Sequence, residues 1–471
     1  MGYMRDDART LIWIAVIAAA ARLLSLPFDI LYDTTEARYA EIARRMAETG
    51  NFITPYISGT APLRIPGVLA DSYPFWAKPP LSFWAGALSI MAFGVNEFAV
   101  KLPSFLFLGA SAIIMWAFVR RDKGEAAAAL ALAVLSTMSM VVFYAGGVMT
   151  DPSLVFCLTL AMASFYNAMR QGENRGPGEL QAAESARRPR WKPAPGYLVF
   201  AALGLGLLAK GPLILVVFGL PLFFYTAVKK KRRGMFRALP WLGGPAIMLA
   251  IAAPWYILAE RATPGFINYF FVGEHFERYI TPEWAGDMYG TGRGGFTGQI
   301  WLCFLAVVMP WPAFAAIAAF FKNFRKRISE AGFFRDDFLF YSLCFAAAPL
   351  MFFTMSKNIV VTYALLSAIP AAIVLAAAVP ADTRLFKCFA AMNIMALIGL
   401  IAMPSWKPSE KFNIENARGK QVYYLNCDVP YSAMFYSGGR AARLDDIRAA
   451  DPGDIIMIRA GRGEYRVKAA E

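Results

Sequence analysis

Long apolar runs alternate with short polar segments from residue 10 to residue 403. Runs of about 17 to 25 apolar residues are long enough to cross the hydrocarbon core of a bilayer as helices. The pattern predicts roughly eleven spans, of which the fifth is short and poorly separated from the sixth. They lie at residues 10–28, 102–119, 125–145, 151–169, 196–209, 212–228, 238–259, 299–321, 337–355, 359–380 and 386–403.

The loop between the first two spans is too long to be a simple connector. Residues 36–48 carry apolar residues at helical spacing, and Gly50 is expected to end that helix. The apolar segment Leu81 to Phe93 is too short to span, which predicts an amphipathic or re-entrant helix lying at the membrane interface. Thr60 to Tyr73 is rich in proline and glycine, which predicts a mobile segment that could act as a lid.

The pattern changes after residue 403. The tail is charged and contains short strand-like runs at Gln421 to Leu425 and Asp454 to Arg459. We therefore expect a membrane domain at 1–403, with the long loop at 29–101, and a small α/β domain at 404–471. The polar loop 171–195 is expected to be disordered.

Composition agrees with the span pattern. Of 471 residues, 58% are hydrophobic and 17% are charged, whereas a soluble protein carries about 25% charged residues. The mean hydropathy of the chain is +0.45. The fold class predicted is an all-α polytopic membrane protein with a small α/β C-terminal domain, and the first span is expected to be a retained helix.

The distribution of basic residues along this chain indicates its membrane topology. The net charge is +14, but the basic residues sit in short clusters between spans, as the positive-inside rule predicts for cytoplasmic loops. This distribution argues against a nucleic-acid partner and predicts a cytoplasmic N-terminus. The clusters are Arg120 to Lys123, Arg187 to Lys192, Lys229 to Arg233, and Lys322 to Arg327.

With this topology, every candidate for chemistry falls on the opposite, outer face. In the first outer loop, Asp33 or Glu36 could take a proton from an attacking hydroxyl group, and Arg38 could hold a phosphate. Tyr39 stands one turn from Glu36 and is a candidate substrate contact. The alternative for both acids is helix capping, with their charge complementing the helix dipole.

Three outer-face lysines and one aspartate are further candidates. Lys78 precedes two prolines that hold the backbone extended, and it could neutralise a lipid phosphate, although snorkelling to lipid headgroups is the alternative. Lys210 and Lys357 break the positive-inside pattern, which suggests anion binding. Asp151 opens the fourth span before Pro152, so it is either a helix cap or a residue that folds back to join the site.

His275 is the only histidine in the chain, so a site with several histidine ligands is excluded. With Glu274 or Glu277 it could help bind a divalent metal ion, although a surface or interface role is more usual for such a residue. Arg278 is the better phosphate candidate because its planar fork matches phosphate oxygens. No cofactor is predicted with certainty.

Several stretches carry a family resemblance that covers about residues 10 to 403. The specific ones are EARYAEIARRM (36–46), TGNFITP (49–55), KPPLSFW (78–84) and FGVNEFAVKLP (93–103), with weaker matches at 150–152, 209–212, 274–278 and 362–363. Together they resemble the GT-C class of lipid-phosphate-sugar-dependent membrane glycosyltransferases. The resemblance is to the 4-amino-4-deoxy-L-arabinose lipid A transferase family, which is related to the protein O-mannosyltransferases.

The resemblance implies a multi-span fold with interfacial helices, a periplasmic site and, in bacteria, undecaprenyl phosphate sugars as donors. It places Glu36 in the acidic catalytic motif with Arg38 beside it, Lys78 on the donor phosphate and Asp151 near the site. Tyr363, in the weaker match at 362–363, is a candidate substrate contact. Two positions depart from the family pattern. Thr35 stands where the family often has an aspartate, and Ala77 stands where the lipid A enzymes often have a glutamate.

These observations predict an inverting glycosyltransferase of the bacterial inner membrane. It would move a sugar from an undecaprenyl phosphate donor to lipid A or another cell-envelope acceptor on the periplasmic face, among membrane lipids. The alternatives are transfer to a protein hydroxyl group, or a lipid-sugar flippase. A transporter should carry mid-span charges and inverted repeats, so the clustering of charges at one face favours the enzyme.

Overall fold

The computed structural model describes residues 2–58, 72–173, 194–282, 284–289, 295–402, 409–461 and 464–469. Most of the predicted lid, most of the loop 171–195 and the basic cluster 187–192 lie outside these residues. The described α-helices, in chain order, are α1 Gly2–Ser25, α2 Thr35–Thr49, α3 Leu81–Phe93, α4 Glu97–Lys123, α5 Glu125–Ser136, α6 Ser139–Tyr144, α7 Asp151–Glu173, α8 Ala194–Lys210, α9 Leu213–Val228, α10 Arg232–Ala238, α11 Gly243–Ala262, α12 Arg278–Ile280, α13 Gln299–Val307, α14 Trp311–Ala318, α15 Lys322–Glu330, α16 Asp337–Thr354, α17 Ala368–Ala378, α18 Thr383–Ala402, α19 Lys411–Asn416 and α20 Tyr431–Tyr436. A π-helix, Asn268–Glu277, precedes α12.

The chain is a multi-span membrane protein. Within the described residues, seven helical segments are long and apolar enough to cross a membrane, and an eighth is obtained if the bent pair α13 and α14 counts as one span. The two helices of that pair meet at 93°. Four shorter apolar helices (α3, α5, α8 and α9) accompany them. The predicted span 125–145 is broken into α5 and α6, and the predicted number of eleven spans is not established.

The charged ends of several spans meet at one end of the bundle. Lys123 at the end of α4 pairs with Asp336, and Lys229 beyond α9 lies 2.9 Å from Asp337 at the start of α16. Arg170 near the end of α7 pairs with Asp122. Two of the predicted basic clusters are therefore neighbours in space, as their assignment to one side of the membrane requires.

Helices α2 and α3 match the elements predicted in the long loop. Gly50 ends α2 in the left-handed conformation (φ 68°), which a residue with a side chain adopts only at a cost. The two helices approach closely, since a Cβ atom built on Gly86 would lie 2.9 Å from the Ala43 Cβ. Burial of Ile42 and Met46 joins α2 to the main core.

The C-terminal unit, residues 409–461 and 464–469, is α/β. Its four strands are β3 Val422–Leu425, β4 Ala442–Leu444, β5 Ile455–Gly461 and β6 Glu464–Ala469, in the sheet order β4-β3-β5-β6. Strand β3 is parallel to β4 and β5, and β6 is antiparallel to β5. Strands β1 Tyr56–Ser58 and β2 Ser72–Pro74 form a separate antiparallel pair in the long loop.

Helix α20 docks the C-terminal unit on the membrane domain. The Tyr436 hydroxyl group accepts a hydrogen bond from Leu31 N (2.9 Å) and donates one to Glu97 at the start of α4 (3.1 Å). Lys411 also pairs with Glu97, and Phe435 belongs to the main hydrophobic core. The segment between α1 and α2 is thus held between α4 and the C-terminal unit.

Candidate functional site

Two adjoining cavities lie at the end of the bundle away from the paired basic clusters. The larger has a volume of about 380 Å³ and is lined by residues before and within α2, by the start of α7 and by loop residues around 287–289 and 358–363. The smaller has a volume of about 180 Å³. Both are bordered by the same six residues, Ala77, Lys78, Lys210, Arg278, Asn358 and Tyr363.

The shared wall is rich in positive charge. Lys78 Nζ lies 3.0 Å from Glu274, and Arg278 lies 3.0 Å from the same carboxylate and 3.4 Å from Asp287. Burial of Glu274 opposes its ionisation, but Lys78 and Arg278 outweigh burial and hold its pKa below the ordinary value. Two cations and two carboxylates therefore meet here with balanced formal charge, and Lys78 and Arg278 border the cavities as donors of charge-assisted hydrogen bonds to an anion.

Lys210 completes this wall from the end of α8. It is buried, pairs with Asp151 at the start of α7, and its ammonium group lies 4.5 Å from the centre of the Tyr363 ring. Asp151 thus folds back to the site, as one of the two sequence hypotheses requires. We call Lys78, Lys210 and Arg278 the junction cations.

The smaller cavity has apolar walls and reaches the lipid-facing surface. Pro212, Leu213, Phe352 and Phe353 line it, together with Val216, whose side chain is 37% exposed. Neighbouring side chains of α9 are also large, apolar and exposed, as in a helix surrounded by lipid. An acyl or prenyl chain could enter from this side.

Arg38 lies on the polar side of the larger cavity. Its guanidinium carbon lies 5.6 Å from the ring centre of Tyr39 and 5.4 Å from that of Phe75, and a guanidinium nitrogen donates to the Tyr289 carbonyl oxygen. No carboxylate among the described residues forms an ion pair with Arg38, whereas each junction cation has such a partner. Arg38 is therefore suited to a second negatively charged group.

Asp33 also lines the larger cavity, and the C-terminal unit holds it in place. Both the backbone N–H and the hydroxyl group of Ser432 donate to its carboxylate. Burial raises the pKa of Asp33 from its ordinary value of 3.8 to about 6; the two Ser432 hydrogen bonds lower it, and nearby Glu410 raises it. A carboxyl group with this pKa can accept a proton near neutral pH.

The raised pKa predicts a pH dependence of stability. Between pH 3.8 and about 6, Asp33 binds more protons in the folded than in the unfolded chain. The free energy of unfolding should therefore fall as pH rises through this window, by up to about 3 kcal/mol, and level off above it. Chemical unfolding of the purified protein from pH 4 to 7 measures this. Asp33→Asn should remove the slope, the exposed Asp451→Asn should keep it, and identical slopes in all three proteins would contradict it.

Glu36 does not line the cavity, unlike its neighbour Arg38. A helix turns about 100° per residue, so side chains two residues apart point to opposite sides. Glu36 is 1% exposed, and its Oε1 atom accepts from Lys101 Nζ (2.6 Å) and from Val148 N (3.1 Å). The sequence offered Glu36 and Asp33 as alternative bases, and of these two only Asp33 lines the cavity. The carboxylates that reach the cavity are those of Asp33, Asp151 and Asp287.

Lys101 and Glu36 belong to a buried network behind the cavity. Lys101 Nζ also lies 3.4 Å from Asp29, which pairs with Arg22 at 2.9 Å. Gly146 makes room for Arg22, because a Cβ atom there would lie 1.9 Å from its guanidinium nitrogen. The network ties α1, α4 and the start of α2 together and so fixes the cavity wall.

Two other sequence candidates, Lys357 and His275, do not reach the larger cavity. Lys357 is not among the lining residues of either cavity, and its ammonium group lies 3.3 Å from the Thr297 hydroxyl group. His275 borders the smaller cavity, but its ring nitrogens face the carbonyl oxygens of Phe270 (2.7 Å) and Lys210 (3.2 Å), and burial lowers its pKa. Among the described residues, no group of three or more His, Cys, Asp or Glu side chains could hold a metal ion.

Sequence reasoning missed several residues that line the larger cavity, among them Asp287, Tyr289 and Asn358. Asp287 pairs with Arg278, and the Tyr289 hydroxyl group donates to Pro74 O (2.7 Å), which fixes the approach to Lys78. The position of Asp287 in the same outer loop as Arg278 was the available signal. Asn358 carries no charge, so a search for misplaced charges selects Lys357 beside it instead.

Comparison with known proteins shows the family of the chain. The sequence pattern of the dolichyl-phosphate-mannose-protein mannosyltransferase family matches residues 11–270, more than half of the chain. An undecaprenyl phosphate-alpha-4-amino-4-deoxy-L-arabinose arabinosyl transferase of Serratia proteamaculans is 27% identical over 405 residues, which are 83% of this chain and 63% of that protein. Its counterpart from Erwinia tasmaniensis is 29% identical over 75% of this chain and 56% of its own length. The chain thus spans roughly 60% of the length of these curated relatives.

Solved structures establish the fold. ArnT from Cupriavidus metallidurans bound to undecaprenyl phosphate superposes with a TM-score of 0.70 at 18% identity, covering 92% of this chain and 85% of that one. The apo form of the same protein gives a TM-score of 0.69 at 17% identity, covering 95% and 92% of the two chains. The predicted fold class, a polytopic helical bundle with a small strand-containing C-terminal unit, is confirmed.

Proposed function

This chain belongs to the dolichyl-phosphate-mannose-protein mannosyltransferase family, and we propose that it is an inverting membrane glycosyltransferase. In this proposal it moves a sugar from an undecaprenyl phosphate donor to lipid A or to another cell-envelope acceptor. The names of its curated relatives supply the donor class. Because the chain spans only part of their length, the sugar and the acceptor are open to experiment.

One observation carries the proposal, namely that an apolar cavity and a polar cavity meet at the junction cations. A lipid-phosphate sugar has the same order of parts: an apolar tail, a phosphate and a polar sugar. The tail fits the smaller cavity between α9 and α16, the phosphate fits Lys78, Lys210 and Arg278, and the sugar enters the larger cavity. Tyr363, which borders both cavities, lies where phosphate and sugar join.

The chemistry follows from this placement. The acceptor oxygen attacks the anomeric carbon of the sugar from the side opposite the phosphate, and the lipid phosphate leaves with the bonding electrons. The junction cations stabilise the charge that develops on the departing phosphate. Asp33 or Asp151 orients the acceptor and takes up a proton where the acceptor group carries one. Arg38, with Tyr39 beside it, is placed for an anionic group of the acceptor.

The proposed location is the bacterial inner membrane. The N-terminus would lie in the cytoplasm, and the cavities and the C-terminal unit would face the periplasm. Two basic clusters at the end of the bundle away from the cavities support this orientation. Enclosure of the reacting groups at the membrane surface would keep water from competing as acceptor.

A transfer assay tests the proposal. Purified protein in lipid nanodiscs receives undecaprenyl phosphate carrying a radiolabelled 4-amino-4-deoxy-L-arabinose, with lipid A, a lipopolysaccharide core or a Ser/Thr-rich peptide as acceptor. We expect label on a lipid or glycan acceptor and release of undecaprenyl phosphate. Label on the peptide alone would support the protein-directed alternative. In a parallel assay with the protein in sealed vesicles, movement of the labelled lipid across the membrane without transfer would contradict the proposal.

A further inference from the structure

Asn358 stands at the meeting point of the two cavities. It lies in the turn between α16 and the 3₁₀ helix Val361–Ser367, and it borders both the apolar and the polar cavity. Its side chain is 5% exposed, so its polar atoms are removed from bulk water. A buried amide of this kind normally satisfies both its nitrogen and its oxygen.

Within the described part of the chain, only the nitrogen of this amide has hydrogen-bond partners. Asn358 Nδ2 donates to the carbonyl oxygens of Arg278 (2.6 Å) and Thr281 (2.9 Å). Because both partners are acceptors, the nitrogen must face them, and the orientation of the amide is fixed. The Oδ1 atom is buried and has no hydrogen-bond partner among the described residues. An unsatisfied buried acceptor is costly, so a partner is expected in the working state.

The partner must be a hydrogen-bond donor, because Oδ1 only accepts. Asn358 borders both cavities, so a ligand bound in them can supply that donor. A phosphate oxygen cannot be the partner, since it is also an acceptor and carries negative charge. The phosphate has Lys78, Lys210 and Arg278 on the same wall. A sugar hydroxyl or ammonium group is the part of the donor that can satisfy Oδ1.

We infer that Asn358 is a sugar-binding residue whose Oδ1 atom accepts a hydrogen bond from a hydroxyl or ammonium group of the donor sugar next to the lipid phosphate. This inference rests on the proposed function, because it needs the phosphate at the junction cations. It adds a requirement on the substrate, namely that the donor sugar carries a hydrogen-bond donor within reach of the phosphate site. The residue would thus distinguish the glycosylated lipid from the bare lipid phosphate product.

Binding measured without acceptor tests the inference. The ligands are undecaprenyl phosphate and undecaprenyl phosphate carrying 4-amino-4-deoxy-L-arabinose, with wild type and Asn358→Ala in nanodiscs. We expect Asn358→Ala to weaken binding of the glycosylated lipid roughly 10-fold or more and to change the Kd of the bare lipid phosphate by less than about two-fold. Equal loss for both ligands, or no loss for either, would overturn the inference. If wild type binds neither ligand, the proposed function itself fails.

Two controls separate sugar contact from loss of structure. Asn393 is a matched buried asparagine on α18, but its Nδ2 donates to Thr137 O and its Oδ1 accepts from Ser139. Asn393→Ala should leave the ratio of the two affinities unchanged. If Asn358→Ala does not fold, Asn358→Gln keeps the amide but displaces the oxygen, and it should show the same selective loss.

Donor analogues identify the contacting group. A donor in which that hydroxyl or amine is replaced by hydrogen should bind wild type as weakly as the complete donor binds Asn358→Ala. The affinity of this analogue for Asn358→Ala should be no lower than its affinity for wild type. If Asn358→Ala weakens binding of every single-position analogue by the same factor as binding of the complete donor, Asn358 does not contact the sugar.

Discussion

Lys78→Ala should lower transfer by about 10²- to 10³-fold, the loss expected when a cation that stabilises developing negative charge is removed. The lysine borders both cavities and lies 3.0 Å from Glu274. Without it, Arg278 must neutralise Glu274 and Asp287, so less positive charge remains for the phosphate. A steady-state assay with undecaprenyl phosphate-linked sugar measures kcat and KM separately, and the fall should be mainly in kcat.

Lys357→Ala is the matched control for Lys78→Ala. Both lysines were candidates in the sequence, but Lys357 contacts Thr297 and lines neither cavity. Its replacement should change kcat/KM by less than about two-fold, the effect of losing a surface charge. Equal losses in the two variants would show that general positive charge, and not the position of Lys78, supports the reaction.

Lys101→Met should give the largest loss of stability, about 3–5 kcal/mol, because removing one partner of a buried ion pair leaves a buried charge unpaired. Lys101 is fully buried and contacts both Asp29 and Glu36. Glu36 would keep only its hydrogen bond from Val148 N. Unfolding in detergent, followed by tryptophan fluorescence, measures the difference.

Two further variants show whether the unpaired charge is the cause. Glu36→Gln in the Lys101→Met background should recover part of the lost stability, because it removes one stranded carboxylate. Lys326→Met breaks an exposed pair with Glu330 and should cost about 0.5 kcal/mol or less. If Lys101→Met unfolds at the same denaturant concentration as wild type, the buried network does not hold the cavity wall.

The elements that depend on local pattern could be predicted from the sequence. The sequence predicted the helix Leu81–Phe93 with the bounds that the structure shows. The helix predicted at 36–48 is Thr35–Thr49 in the structure. Strand-like runs at 421–425 and 454–459 became β3 and β5. Each of these signals is a periodicity or a glycine within a few residues of the element it defines.

The candidate site was predicted in part, since Lys78, Arg38, Asp151, Lys210 and Arg278 meet at the cavities. Their convergence followed from topology, because all of them lie on loops assigned to one side. The direction in which each side chain points could not be predicted from the topology. The buried network that takes Glu36 away from the cavity depends on Lys101, 65 residues later in the chain.

Contacts between distant segments were beyond sequence reasoning. The docking of Ser432 on Asp33 joins residues 399 positions apart, and no pattern near Asp33 signals it. The unsatisfied oxygen of Asn358 becomes visible only when its nitrogen is seen to bond to Arg278 and Thr281. In both cases the information lies in the packing and not in the residue type.

A structure of this protein with bound undecaprenyl phosphate is the most direct test of the central claim. The account predicts the phosphate within hydrogen-bond distance of Lys78 and Arg278, with the first isoprene units between α9 and α16 in the smaller cavity. A phosphate bound away from the junction cations, with both cavities unaltered, would contradict it.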